Sequence, residues 1–216
     1  MDIYTTIVSF FQSGGMFMYP IVIVLAIGLA IAIERYIFLS VVRNQNQRAW
    51  KQILPLLHEG NLKQVLAITE ESKATLGRIL GYGLARMKSA RRRDDVELAM
   101  EEGLMETVPR LQKRTHYIAT FANIATLLGL LGTIIGLIQA FTAVANANPA
   151  DKADMLSASI SVAMNTTAFG LMAAIPLLLL YAVLQSKTTQ LVDSLEMASV
   201  KFVNALSDQR QVSGHA

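Results

Sequence analysis

Three uncharged apolar stretches set the pattern of the chain. The first runs from Met16 to Ile33 and is closed by Glu34 and Arg35, the second runs from Tyr117 to Asn148, and the third from Met155 to Ser186. A helix needs roughly 20 apolar residues to cross about 30 Å of hydrocarbon. The first stretch just meets that length, and the other two exceed it by several turns. All three predict spanning helices, with the second and third protruding from the bilayer. The first stretch lacks a basic leader and a small-residue cleavage site, so it reads as a retained span.

Between and beyond these stretches the apolar residues recur at helical spacing. Glu59-Gly60-Asn61 marks a turn, and Asn61 is placed to cap a helix carrying Leu62, Val65, Leu66 and Ile68. A second helix is expected over Leu76 to Met87. Asp94 followed by Glu97 has the form of a capping box, and its helix carries Val96, Leu98, Met100, Leu104 and Met105 into the second span, with a kink at Pro109. After the third span, Leu191, Leu195, Met197, Ala198, Phe202 and Leu206 predict an amphipathic continuation. Gln209 to Ala216 reads as a disordered tail.

The resulting fold class is an all-α integral membrane protein with three transmembrane helices, the second and third extending into a cytoplasmic helical bundle. Its expected segments are an outward N-terminal stretch (1–15), span one (16–39), a cytoplasmic helical region (40–116), span two (117–146), an outward loop (147–154), span three (155–186) and a cytoplasmic helix and tail (187–216).

Composition agrees with a bilayer. The 216 residues are 53% hydrophobic and only 16% charged, too apolar for an ordinary soluble domain. There is no cysteine, which excludes disulfides, thiolate metal sites and cysteine nucleophiles. The net charge of +3 does not point to nucleic acid, because fifteen of the 19 Lys and Arg residues lie between Arg35 and Arg114. By the positive-inside rule that segment and the C-terminal tail are cytoplasmic, and the N-terminus faces outward, which is periplasmic in a bacterial inner membrane. Arg91-Arg92-Arg93 reads as a solvated turn and is given no role. His116, beside Lys113 and Arg114, reads as an interfacial anchor.

Candidate chemistry is confined to small and weakly polar residues. Thr126, Gly129, Thr133, Gly136 and Ala140 share one face of span two. Span three answers with Ala163, Thr167, Gly170 and Ala174, flanked by Asn165 and Thr166. Gly129, Gly132, Gly136 and Gly170 fit close helix packing, as does Ala163. Pro176 is expected to kink span three and free a carbonyl near Met172 for a hydroxyl or water. Pro20 fits the first turn of span one. Hydroxyls at Thr133, Thr166 and Thr167, with the amide of Asn165, are able to replace water around a proton or cation crossing the membrane. No Asp, Glu, Lys, Arg or His lies inside any of the three stretches. An ion pathway therefore requires an acid from a partner. No resident cofactor or metal is indicated, beyond transient Na+ at the three threonines.

The residues Gly15-Met16-Phe17-Met18-Tyr19-Pro20-Ile21, the run from Ala125 to Gly136 and the run from Thr167 to Pro176 resemble the three spans of the MotA/TolQ/ExbB proton channel family. Three spans favour the ExbB/TolQ branch over flagellar MotA. The resemblance implies a homo-oligomeric ring, a pentamer, around two copies of a single-span ExbD- or TolR-like partner whose helix carries the ion-binding aspartate. It further implies an ion-driven motor, with Thr133 and Thr167 lining the pore, serving a periplasmic or outer-membrane process such as import through a TonB-like protein. One departure is Val162, where the family usually has glutamate, and another is the pair Thr166-Thr167 in place of Ala-Thr. Neutral oxygen ligands suit a dehydrated hard cation, so Na+ stands beside H+ as the coupling ion.

The alternative of another class is a non-conducting scaffold, in which the small residues only pack helices. An intramembrane enzyme needs a nucleophile with its base or paired carboxylates within a span, and the sequence has neither. A secondary transporter is disfavoured because no inverted repeat is visible.

Overall fold

The computed structural model describes residues 11, 14–72, 74–87, 93–145 and 148–213, with side chains up to 206. The described residues are helical apart from short connections. Among the described residues six helices follow one another from Met18 on: α1 (Met18–His58), α2 (Leu62–Glu71), α3 (Thr75–Met87), α4 (Arg93–Gln112), α5 (Thr115–Ala145) and α6 (Lys152–Ser213). Three stretches are long and apolar enough to cross a membrane, one in α1, one reaching through α5 and one in α6. The chain divides into two compact units, Met1–Glu34 with Arg114–Leu184, and Arg35–Lys113 with Gln185–Ala216.

The first unit contains the three apolar stretches. Pro20 falls in the first turn of α1, where a missing N–H breaks no helical bond. α6 runs through Pro176 without interruption in its helix, and it starts at Lys152, a turn earlier than the uncharged run. Outward-facing Leu127, Leu130, Phe141 and Leu179 are more than half exposed. Such apolar exposure is costly in water and free in lipid or against another subunit.

The second unit has its own core. Ile53 and Leu57 of α1, Leu76, Ile79 and Leu80 of α3, Met100 of α4 and Phe202 of α6 are fully buried in it. The α3 and α4 backbones approach closely at Gly103, where an added Cβ would lie 3.3 Å from Ile79 Cα. Asn61 caps α2 as the sequence suggests, its Oδ1 accepting from the Gln64 N–H at 3.3 Å, and Gly60 supplies the left-handed φ of 74° in the turn before it. The start of α3 is served from farther away. Asn46 of α1 accepts the Leu76 N–H at 3.0 Å, replacing a local cap. On the exposed side, the Tyr82 hydroxyl donates to Glu106 at 2.6 Å. That bond holds Glu106 below the usual carboxylate range and raises the Tyr82 hydroxyl.

Three local expectations change. α4 begins at Arg93, so Asp94 and Asp95 lie inside its first turn, where they favour the positive end of the helix dipole, and Asp94 does not precede the helix as a cap. Arg93 donates to Asn204 Oδ1 at 2.6 Å, whereas Arg91 and Arg92 lie outside the described residues. α6 continues to Ser213, into the stretch expected to be disordered. Its residues 214–216 lie outside the described residues.

The third change concerns the entrance to the second span. α4 passes through Pro109 to Gln112, and the break falls at Lys113-Arg114, with Arg114 at φ 67°. A helix end leaves its last carbonyls without N–H partners. Here the Arg35 guanidinium, only 3% exposed, donates to the Leu111 carbonyl and stands 4.7 Å from the Phe38 ring centroid. A cation at a helix C-terminus is also favoured by the dipole. Arg35 thus ends α4 where Pro109 does not. Replacing Arg35 by Met, which keeps an unbranched apolar stem and loses the donor, is expected to cost about 2 kcal/mol, in the range for charge-assisted hydrogen bonds. Thermal unfolding of the purified protein in detergent measures it.

Candidate ion-pathway site

The candidate site is built in the first unit, along the seam between α5 and α6. Buried positions on α5 are Thr115, Ile118, Ala122, Ala125, Gly129 and Gly132, spaced by three and four residues, and Ala140 eight residues on, which is one face of a helix. On the facing part of α6, from 163 to 177, the buried positions are Ala163, Thr166, Gly170, Ala173, Ala174 and Leu177. Where these two stripes meet, backbone approaches backbone. A Cβ added to Gly170 would sit 2.8 Å from the Ala125 carbonyl and 3.0 Å from Gly129 Cα, and one added to Gly136 would sit 2.9 Å from Ala163 Cβ. In lipid there is little hydrophobic force between helices, so small residues that permit such approach supply the packing energy.

The three threonines occupy different places relative to this seam. Thr166 is 2% exposed, with its methyl against Gly132, where an added Cβ would lie 2.4 Å from it. Its hydroxyl lies 2.5 Å from the Gly14 carbonyl and 2.9 Å from the Val162 carbonyl, and its single proton serves one of them at a time. The turn before α1, with Gly15 at φ 73°, is thereby fixed against α6. Phe11 adds an edge contact to Phe169, with ring centroids 6.0 Å apart. Sequence reasoning missed this anchor and took 1–15 only as an outward segment. The Gly14-Gly15 pair was the available signal.

Thr167 and Thr133 lie at the border of the buried face, each partly exposed. The Thr167 hydroxyl donates across the seam to the Gly129 carbonyl at 2.8 Å. In a helix that carbonyl also accepts the Thr133 N–H, so both threonines meet at one backbone group. The Thr133 hydroxyl donates to Leu130 O at 2.6 Å. Each hydroxyl has given its proton to a carbonyl and keeps oxygen lone pairs, which are acceptors for a cation or for a protonated acid. Thr126, expected on the same face, is exposed and bonds back to Ala122 O at 3.2 Å. Asn165 is half-buried in the turn before Thr166 and takes part in a polar contact of its own. Pro176 lies on the exposed side of α6, beyond the seam. Val162 is 36% exposed, with a methyl 3.1 Å from where a Gly15 Cβ would be.

Among the described residues no group of three or more His, Asp or Glu is arranged to hold a metal ion. What the site offers is therefore neutral oxygen, on a scaffold held by backbone contact, with no acid or base of its own.

Residues 71–197 match the MotA/TolQ/ExbB proton channel family. Similar proteins include an ExbB-like biopolymer transport protein of Synechocystis sp., 31% identical over 187 residues that cover 85% of this chain and 72% of that protein. Biopolymer transport protein exbB1 of Vibrio cholerae is 29% identical over 168 residues, covering 76% of this chain and 73% of its own length. The Tol-Pal system protein TolQ of Haemophilus influenzae is 35% identical over 83 residues, 38% of this chain and 36% of TolQ. The chain belongs to the MotA/TolQ/ExbB proton channel family, in its ExbB/TolQ branch, and is a multi-pass membrane protein.

The seam makes opposite predictions for two glycines. Gly170→Ala forces Ala125 and Gly129 away and is expected to destabilise by about 1–3 kcal/mol, the range for overpacking. Gly81→Ala, in α3 with nothing within 4 Å of the added Cβ, is expected to be neutral or to stabilise by up to about 1 kcal/mol through helix propensity. Paired thermal unfolding curves in one detergent decide both.

Proposed function

We propose that this protein is the ring subunit of an ion-driven motor in the bacterial inner membrane, coupling the flow of H+ or Na+ to mechanical work on a periplasmic or outer-membrane process such as TonB-dependent import. The single observation that carries this reading is the pairing of Thr133 and Thr167 around the Gly129 carbonyl, in spans that hold no Asp, Glu, Lys, Arg or His. Two hydroxyl oxygens at mid-span can accept a hydrogen bond from a protonated carboxylic acid or contribute to the shell of a dehydrated cation. They cannot bind or relay the ion alone.

The missing acid belongs to a partner. In this proposal several copies of the chain, five by resemblance, surround an ExbD- or TolR-like protein whose single span presents an aspartate to Thr133 and Thr167. The N-terminus is periplasmic and the basic second unit cytoplasmic, following the Lys and Arg distribution. Thr166 has a different duty in this account. Its hydroxyl is consumed in tying Gly14 to α6, so it supports the pathway wall and does not form it. The extra hydroxyl relative to the usual Ala-Thr pair is thus explained by packing, which weakens the argument for sodium and leaves proton coupling the simpler reading.

The test is ion flux in proteoliposomes holding this protein with its single-span partner, under separate proton and sodium gradients. Thr133→Val and Thr167→Val are expected to lower flux roughly tenfold or more, since each removes an oxygen whose interaction with a charged group is worth about 1.5–3 kcal/mol. Absence of flux under either gradient in an intact complex would favour the non-conducting scaffold, for which the tight α5–α6 seam is sufficient.

A further inference from the structure

The second unit contains a cavity of about 250 Å³ formed by α1, the start of α3 and the C-terminal part of α6. Among the described residues Arg43, Lys187 and Lys201 line it, and no carboxylate does. An adjoining cavity of about 240 Å³ shares Arg43 and Lys187 and is likewise free of acid. Among the described residues none of these three cations is in an ion pair. Like charges gathered in a concave wall raise the local potential and repel one another unless an anion is present.

A second observation is independent of charge. Asn46 lines the same cavity and is only 5% exposed. Its Oδ1 is taken by the Leu76 N–H, which fixes the amide orientation, and its Nδ2 has no acceptor. Buried donors without partners are rare because desolvating them is costly. The partner that Nδ2 lacks is an acceptor, and the surrounding cations favour an anionic one. Gln190, also in the wall, donates one amide N–H to the Ser186 hydroxyl at 3.4 Å and has a second, whereas the Ser194 proton is taken by the Leu191 carbonyl.

The anion that fits is tetrahedral and oxygen-rich. Arg43 offers a planar fork suited to two oxygens, and Lys187 and Lys201 offer point charges. Lys187 is the first charge after the uncharged stretch that ends at Ser186, and its ammonium stands 3.7 Å from the Tyr36 ring centroid. Basic residues at that position, with aromatic neighbours, mark the headgroup level on the cytoplasmic side. We propose that this cavity binds a phosphate group, carried by an anionic lipid headgroup or by a soluble phosphate anion, and that the bound phosphate fastens α1 to α6 through Asn46 and the three cations. Binding here requires neither ion flux nor the threonine site, so the two proposals fail separately.

The experiment uses the full chain in its purified complex in detergent, titrated with phosphatidylglycerol or with inorganic phosphate, reading thermal unfolding and bound phosphorus by 31P NMR. Asn46→Asp keeps the acceptor for Leu76 but replaces the free donor by a negative charge. Lys187→Gln and Lys201→Gln remove single charges, and Lys51→Gln removes a charge of α1, the helix of Asn46, outside the cavity. Saturable binding is expected, about fivefold weaker in each cavity lysine variant, abolished in Asn46→Asp and unchanged in Lys51→Gln. Saturation by the lipid alone identifies the headgroup, and saturation by inorganic phosphate as well identifies a soluble anion. Absence of saturable binding of both probes, or equal weakening by Lys51→Gln and Lys187→Gln, would overturn the proposal.

Discussion

The backbone contact between α5 and α6 at Gly129 and Gly170 is the constraint on which the rest of the membrane unit depends. With 3.0 Å between Gly129 Cα and the place of a Gly170 Cβ, the helices leave no room for a side chain at that position. That nearness lets a side-chain hydroxyl of one helix reach a main-chain carbonyl of the other, which Thr167 does. A wider seam would move that hydroxyl out of reach of Gly129, leaving it to bond its own helix, as Thr133 and Thr126 do. Packing and polar chemistry are here one feature: the glycines position the oxygens.

The same seam explains why two adjacent threonines differ. Neighbouring residues on a helix point about 100° apart. Thr166 turns into the seam and toward the Gly14 turn, where it is sealed, while Thr167 stays at the border with part of its surface open. On the proposed reading, the ion pathway uses the border and leaves the interior closed. The border is also where a partner helix can approach without displacing the glycine contact.

Much of this was legible in the sequence, for identifiable reasons. Bilayer thickness imposes long uncharged runs, so the three apolar stretches could be read directly, and Asn61 was legible because its acceptor and donor are three residues apart. What escaped depends on contacts between residues distant in sequence. Arg35 ends α4 from 76 positions away, which is why Pro109, a local signal, misplaced the break. Thr166 meets Gly14 across 152 positions, so no local pattern separated it from Thr167. Asn46, an ordinary polar residue in a helical run, caps a helix 30 positions later. The packing glycines Gly129, Gly132, Gly136 and Gly170 lie where the sequence put them, but Thr126 and Thr133, assigned to the same face, lie outside it or at its edge, because in a helix two overlapping sets with spacings of three and four both look like a face.

The central claim is that Thr133 looks toward a partner helix that brings an acid. The chain has no cysteine, so a single one can be introduced without background. Thr133→Cys, combined with a cysteine next to the aspartate of the single-span partner, should form a disulfide on mild oxidation in native membranes. Leu131→Cys, two residues away and on the opposite side of α5, should not. Crosslinking at Leu131 with none at Thr133 would contradict the account and turn the pathway face of the helix outward.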